Sequence, residues 1–145
     1  MRDPVRPSIL LVEDDDTDII HFRRLAEKYA MAHDVAIAND GETALAMLRE
    51  AGGHKGVSPF VVLTDLNMPG MTGHELIEDI RRERTIGKSL IFVISTSDLE
   101  TDMKRAYDNG VAGYVIKDAA GAAFEETVRM LRHYCAAVAV GTLLQ

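Results

Sequence analysis

The sequence predicts an α/β domain built on a doubly wound, five-stranded parallel sheet with helices on both faces. Three observations predict it. Short apolar runs rich in β-branched residues recur along the chain, as in Phe60-Val61-Val62-Leu63-Thr64, and such runs read as strands buried on both faces. Longer segments between them carry apolar residues at helical spacing. Polar or turn-forming residues close each run, as Asn67, Pro69 and Gly70 do just after Asp65.

Taken in order, Ser8–Val12 reads as the first strand. A helix follows from Thr17 to about Met31, with Ile19, Phe22, Ala26 and Tyr29 on one stripe. Val35–Ala38 is a short second strand. Asp40 can cap a helix from Gly41 to about Ala51 whose inner residues are Ala44, Leu45 and Leu48. Gly52-Gly53 ends it, and a polar loop runs to Ser58-Pro59. Phe60–Thr64 is the third strand. Thr72 can cap a helix over Gly73–Arg84 with Leu76, Ile77 and Ile80 inward. Ser89–Ser95 is the fourth strand, and Ser97 or Asp98 caps a helix that stops at Asn109-Gly110. In that helix Met103, Ala106 and Tyr107 form a stripe that reads by default as core. Gly113–Lys117 is the fifth strand. The last helix spans about Ala120 to Ala139, with Phe124, Val128, Leu131 and Cys135 on one side.

Strands alternating with helices of this length give (βα)₅, and the flavodoxin-like strand order 2-1-3-4-5 is the expected winding. Residues 1–7 read as a flexible tail, 8–139 as the one domain, and 140–145 as a short extension. The apolar end from Ala136 to Leu144 either frays or packs on a second subunit.

A formal net charge of −7 disfavours a nucleic-acid surface, which needs Lys and Arg against phosphates. Cys135 is the single cysteine, so no intramolecular disulfide can form and a reducing, cytoplasmic compartment is expected. Met1-Arg2-Asp3-Pro4 has no apolar signal segment, and no apolar run approaches the ~20 residues of a membrane span.

The predicted topology brings chemistry to one edge of the sheet. Asp65 ends the third strand, where open α/β sheets bind ligands. Glu13-Asp14-Asp15-Asp16 ends the first, with Asp18 just beyond. Carboxylates converging there repel one another unless a cation joins them, and a hard divalent ion such as Mg²⁺ suits oxygen ligands. The acidic run fits a solvated loop and helix cap equally well, and Asp15, Asp16 and Asp18 read as caps and solvent-facing charge. Ser95-Thr96-Ser97 ends the fourth strand and Lys117 the fifth. Alone, the first is ordinarily a helix cap and the second a surface lysine. Together the parts can move a phosphoryl group: a carboxylate nucleophile, a divalent cation, a hydroxyl donor and a mobile ammonium.

On these residues the chain resembles the receiver domains of two-component response regulators, the CheY-like superfamily, over roughly residues 8–135. The resemblance implies that Asp65 is the phosphoacceptor, that Asp14 binds Mg²⁺ directly and Glu13 through water, and that the backbone carbonyl of Asn67 completes the metal site. It implies that Lys117 pairs with the phosphoryl group. Ser95, 22 residues before Lys117, becomes the switch hydroxyl, and Tyr114, three residues before it, the switch aromatic. Tyr114 also fits a plain core position; its place in the motif favours the switch. Asn67 and Ser97 fall at two positions that tune phosphoryl lifetime. Three departures stand out: Glu13 for the commoner Asp, Thr96 for Ala or Gly beside the phosphoryl pocket, and Asp118 for the Pro that usually follows the lysine with a cis bond.

The Ser-Thr-Ser turn and the long Gly52–Pro59 loop resemble the small regulators that partner phytochrome kinases. The implied function is a single-domain phosphorelay switch, not a standing enzyme. Its implied donor is a sensor histidine kinase, of the phytochrome type by the likeness to those small regulators, or a histidine phosphotransfer protein. Output leaves through the face of the fourth helix, fifth strand and fifth helix, which, like the carboxyl-terminal extension, is also a candidate homodimer surface. Rival readings are an aspartate-nucleophile phosphatase, which lacks a second acid because Asn67 stands two residues on; a flavin mononucleotide carrier, whose phosphate the acidic run would repel; and a phosphorylation-independent binding module. The five histidines show no ligand spacing and read as surface or packing residues.

Overall fold

Five strands form one all-parallel sheet, beside a separate two-stranded pair, in a computed structural model that describes residues 4–5, 7–31, 34–52, 60–138 and 141–142. In chain order the elements are β1 Ser8–Val12, α1 Asp16–Lys28, β2 Val35–Ala38, α2 Gly41–Gly52, β3 Phe60–Thr64, α3 Gly73–Arg82, β4 Leu90–Ser95, α4 Glu100–Asp108, β5 Gly113–Ile116 and α5 Ala122–Ala137. The sheet order is β2-β1-β3-β4-β5, the winding expected from the sequence. The central register pairs Val12 with Thr64, and β4 pairs Ser95 with Ile116. Glu13, Asp65 and Lys117 therefore leave their strands at the same edge, where the amide of Asp65 donates to the Val12 carbonyl at 3.1 Å.

Because strand side chains alternate, the sheet divides the core in two. Leu10 and Val12 face one side with Val62 and Val93, covered by Leu45, Leu48, Leu76, Ile77, Ile80 and Ala106 from α2, α3 and α4. Ile9 and Leu11 face the other with Val61 and Leu63, covered by Phe22, Leu25, Phe124, Val128 and Leu131 from α1 and α5. Each such fully buried aliphatic side chain contributes about 2 kcal/mol relative to exposure, so the two layers hold the strand ends rigidly.

The helix starts follow from local chemistry. Asp15 caps α1 by accepting the amides of Thr17 and Asp18. Asp40 accepts the Thr43 amide at 2.7 Å. Thr72 and Glu75 form a reciprocal capping box on α3. The expected cap of α4 by Ser97 or Asp98 is corrected: Leu99 occupies that position without a side-chain cap bond, because Ser97 lies two residues upstream and its hydroxyl is turned to Asp102. The α4 stripe is corrected as well. Ala106 is buried, but Tyr107 is 52% exposed, since this nine-residue helix meets the sheet over a narrow contact. Within the expected loose amino-terminal tail, Pro4–Val5 pairs antiparallel with Gly141–Thr142. The loop from Gly53 to Pro59 lies outside the described residues. No helix among the described residues is long and apolar enough to cross a membrane.

Candidate phosphoacceptor site

Glu13, Asp14, Asp65, Asn67, Thr96 and Lys117 line one cleft of about 510 Å³ at the carboxyl edge of the sheet. Asp65 is held at its floor, 8% exposed. Its Oδ1 accepts the Leu66 amide at 2.7 Å, and its Oδ2 faces the Lys117 ammonium at 3.4 Å. The strand end is pinned from below. Gly73 donates its amide to the Leu66 carbonyl at 2.9 Å, and a Cβ at Gly73 would lie 2.1 Å from the Asp65 carbonyl oxygen. Only glycine lets α3 begin this close to the aspartate.

Glu13 is almost wholly buried. Its Oε2 accepts the amides of Asp14 and Asp15, while Oε1 binds Lys117 at 2.7 Å. Burial pushes the Glu13 carboxyl up, the Lys117 bond pulls it back, and the Asp65 charge adds to the rise, which leaves it at about 7. For Lys117, burial works against the charge. The bonds to Glu13 and Asp18 and the charge of Asp65 outweigh it, so the ammonium is held above its ordinary range. It is a cation kept in place by three carboxylates.

Glu13, Asp14 and Asp65 each offer a carboxylate oxygen, and these oxygens lie within 4.8 Å of one another. Two of the three are buried, and a shared ammonium leaves the group with excess negative charge. That donor set fits a hard divalent cation such as Mg²⁺. Asn67 is exposed on the same cleft.

Ser95 and Tyr114, the expected switch residues, sit beside the cleft. Ser95 is fully buried, and its hydroxyl oxygen accepts the Ser97 amide at 3.1 Å. Tyr114 is half-buried, packs on the α2–α4 side of the core, and donates its hydroxyl to the Ser97 carbonyl at 2.9 Å. Burial raises the Tyr114 phenol above its ordinary value. Every described peptide bond is trans, Lys117–Asp118 included. Asp118 turns its carboxylate to the Ala123 amide at 3.3 Å, in the first turn of α5.

Two groups escaped the reading of the sequence. Asp18, taken there as solvent-facing charge, binds Lys117 at 2.9 Å. Its position in the first turn of α1, four residues after Asp14, is the signal that could have found it. His74, taken as ordinary packing, is buried and bonded to Asp102 at 3.0 Å. Residues 28 apart in the chain carry no local sign of such a pair.

Comparison with known proteins bears on the family and the fold. The family model of the response regulator receiver domain matches residues 9–129. The chain is 34% identical to the "Probable methanogenesis regulatory protein FilR2" of Methanothrix harundinacea, over 87% of this chain and 81% of that one. It is 30% identical to the response regulator Rcp1 of Synechocystis sp., over 75% of each, and superimposes on the Mn²⁺-bound form of Rcp1 with a TM-score of 0.76 at 26% identity, covering 92% of this chain and 98% of that one. The phosphorylated cyanobacterial phytochrome response regulator RcpA superimposes with a TM-score of 0.77 at 29% identity, covering 91% of this chain and 95% of that one. The chain thus belongs to the response regulator receiver domain family.

Proposed function

We propose that this receiver accepts a phosphoryl group on Asp65 from a histidine kinase or a histidine phosphotransfer protein and acts as a switch in a two-component phosphorelay. The observation that carries the reading is the placement of Asp65 Oδ2, which among the described residues has the Lys117 ammonium as its one hydrogen-bond partner, while Oδ1 is held by the backbone.

The chemistry follows from that asymmetry. Oδ2 attacks the phosphorus of a phosphoimidazole. The P–O bond forms as the P–N bond breaks, and the electron pair leaves with the imidazole nitrogen, which takes a proton. Lys117 is already 3.4 Å from the attacking oxygen and can follow the new charge as a mobile point cation. Ser95 accepts a bond from the Ser97 amide, and its hydroxyl would donate to a phosphoryl oxygen. Glu13, Asp14, Asp65 and the Asn67 carbonyl would hold Mg²⁺, which supplies charge neutralisation at the phosphoryl oxygens. Ser97 and Asn67 would tune the lifetime of the product, and Thr96, exposed at the cleft mouth, would limit the approach of small donors and water. Output would pass through α4, β5 and α5, where Leu99, Tyr107 and Ile116 are exposed.

The donor we propose is a phytochrome-type histidine kinase, on the strength of the likeness to RcpA. The test is phosphotransfer profiling: phosphorylated kinases of several classes are mixed with the chain and Mg²⁺, and the transfer rate is read. Fast transfer to the wild type, none to Asp65→Asn and none after chelation are expected. Labelling of the Asp65→Asn chain at the wild-type rate would refute the assignment.

A further inference from the structure

Lys117 leads from β5 directly into a turn that little holds in place. Its amide donates to the Ser95 carbonyl at 2.8 Å, but Asp118, Ala119 and Ala120 are all exposed. Two alanines and Gly121 offer no side chain that could tie the turn down. Its bonds run from the Gly121 amide to the Asp118 carbonyl at 3.2 Å and from the Ala123 amide to the Asp118 carboxylate at 3.3 Å. Beside it lies a cavity of about 220 Å³ whose lining includes Thr17, Asp18, His21, Lys117 and Phe124, so the turn has room to move.

One side chain restricts that movement. His21, on α1, is seated against Gly121 so closely that a Cβ there would lie 2.4 Å from its Cε1. Gly121 has a φ of +76°, so this position needs glycine for its backbone as well as for the space. The same imidazole stands edge-on to Phe124, with ring centroids 5.6 Å apart. The Lys117 ammonium lies 6.0 Å from the Phe124 centroid. His21 therefore touches the turn at its far end and also the aromatic ring beside the lysine. It makes no hydrogen bond among the described residues, so it acts by shape. Its neighbour Phe22 is fully buried in the α1–α5 layer, which makes α1 a rigid mount for the ring.

We propose that His21 is a positioning residue for phosphoryl binding: by holding the 118–121 turn and Phe124, it fixes the root of Lys117 so that the ammonium stands at Asp65. The inference rests on the phosphoacceptor reading above. His21 touches no reacting atom. The Lys117 ammonium is 3.4 Å from Asp65 Oδ2, the oxygen that would carry the phosphoryl group, so the placement His21 secures is one that group can use. A lysine on a loose turn has to be ordered each time it meets that charge, and the ordering is subtracted from binding. The carboxylates that fit a divalent cation, Glu13, Asp14 and Asp65, follow β1 and β3 instead. Loss of His21 therefore separates the two halves of the site: the lysine half weakens and the cation half does not.

The test uses the whole chain and follows the amide resonances of Leu66 and Thr96 through two titrations. The first adds Mg²⁺ alone; the second adds beryllofluoride, a phosphoryl mimic, at saturating Mg²⁺. In His21→Ala the half-saturation for beryllofluoride rises roughly three- to tenfold. That for Mg²⁺ is unchanged or falls, since an ammonium that strays leaves the carboxylates to the cation. His21→Phe keeps a planar ring between Gly121 and Phe124, has the neighbouring cavity for its extra atom, and binds both ligands as the wild type does. Gly121→Ala drives a methyl group into the imidazole and gives the same split as His21→Ala, so it decides if His21→Ala does not fold. Three results each overturn the placement while the receiver reading stands: unchanged beryllofluoride affinity in His21→Ala, Mg²⁺ affinity weakened in proportion, or His21→Phe as weak as His21→Ala. A wild-type chain that fails to bind beryllofluoride overturns the receiver reading itself, and the role of His21 with it.

Discussion

Gly73 stands so close to Asp65 that a Cβ on the glycine would lie 2.1 Å from the aspartate's carbonyl oxygen, with the Leu66 Cα at 2.7 Å. Both obstacles are backbone, so neither can swing away. Gly73→Ala must push the start of α3 off the strand end, at a cost of about 1–3 kcal/mol. The displacement falls on Asp65, so under the proposed function phosphotransfer is expected to drop more than stability does. Urea denaturation and transfer rate, measured on the same variant, separate the two.

Asp18 competes for Lys117 at 2.9 Å and adds negative charge to the cleft. Asp18→Asn keeps the shape, removes the charge and frees the ammonium for Asp65. Phosphorylation by a small anionic donor such as acetyl phosphate is expected to accelerate by roughly three- to tenfold. The gain shrinks as salt is added. A slower reaction would show that Asp18 assists the site.

Cys135 is buried on α5, and burial with the nearby Asp34 charge pushes its thiol up to about 11 from an ordinary 9.0. At pH 8 only about one molecule in a thousand carries the thiolate, so labelling by a thiol reagent is expected to run ~100-fold slower than for a free cysteine. The folded value lies above the unfolded one. The stabilisation is therefore fully present below pH 9.0 and is lost as the pH rises through about 11. Rapid labelling of the native chain at pH 8 would contradict the placement.

Arg81 donates to four carbonyls: Asn109 and Gly110 at the end of α4, and Gly87 and Ser89 before β4. One guanidinium thus ties α3 to the turn after α4 and to the segment before β4. Arg81→Met strips all four at once, and we expect a loss of about 2–4 kcal/mol. Arg81→Lys recovers little of it, because an ammonium lacks the planar fork. The urea midpoint at constant slope measures both.

The fold was legible because strand and helix periods differ and each strand run is cut by turn residues. Phe60–Thr64 matches its expected bounds, and all four inner residues of the last helix are buried. The carboxylates and the lysine were legible too, since parallel topology alone brings Asp65, Glu13 and Lys117 to one edge. What escaped was tertiary. Asp18 reads from sequence as helix-cap charge, and only the folded chain brings it to Lys117. Leu99 as the start of α4 could not be foreseen, because Ser97 and Asp98 are both better caps in isolation, and Asp102 takes the serine hydroxyl for another purpose.

The partition of the core by the sheet has a consequence for how such a chain diversifies. Leu10 and Leu11 are neighbours in sequence yet belong to packing clusters that share no residue. Substitutions that repack the α1–α5 layer therefore meet a different set of side chains from those that repack the α2–α4 layer. A lineage can thus refit the surface over one layer to a new protein while the other keeps its old acquaintance, and duplicated copies can part company one side at a time.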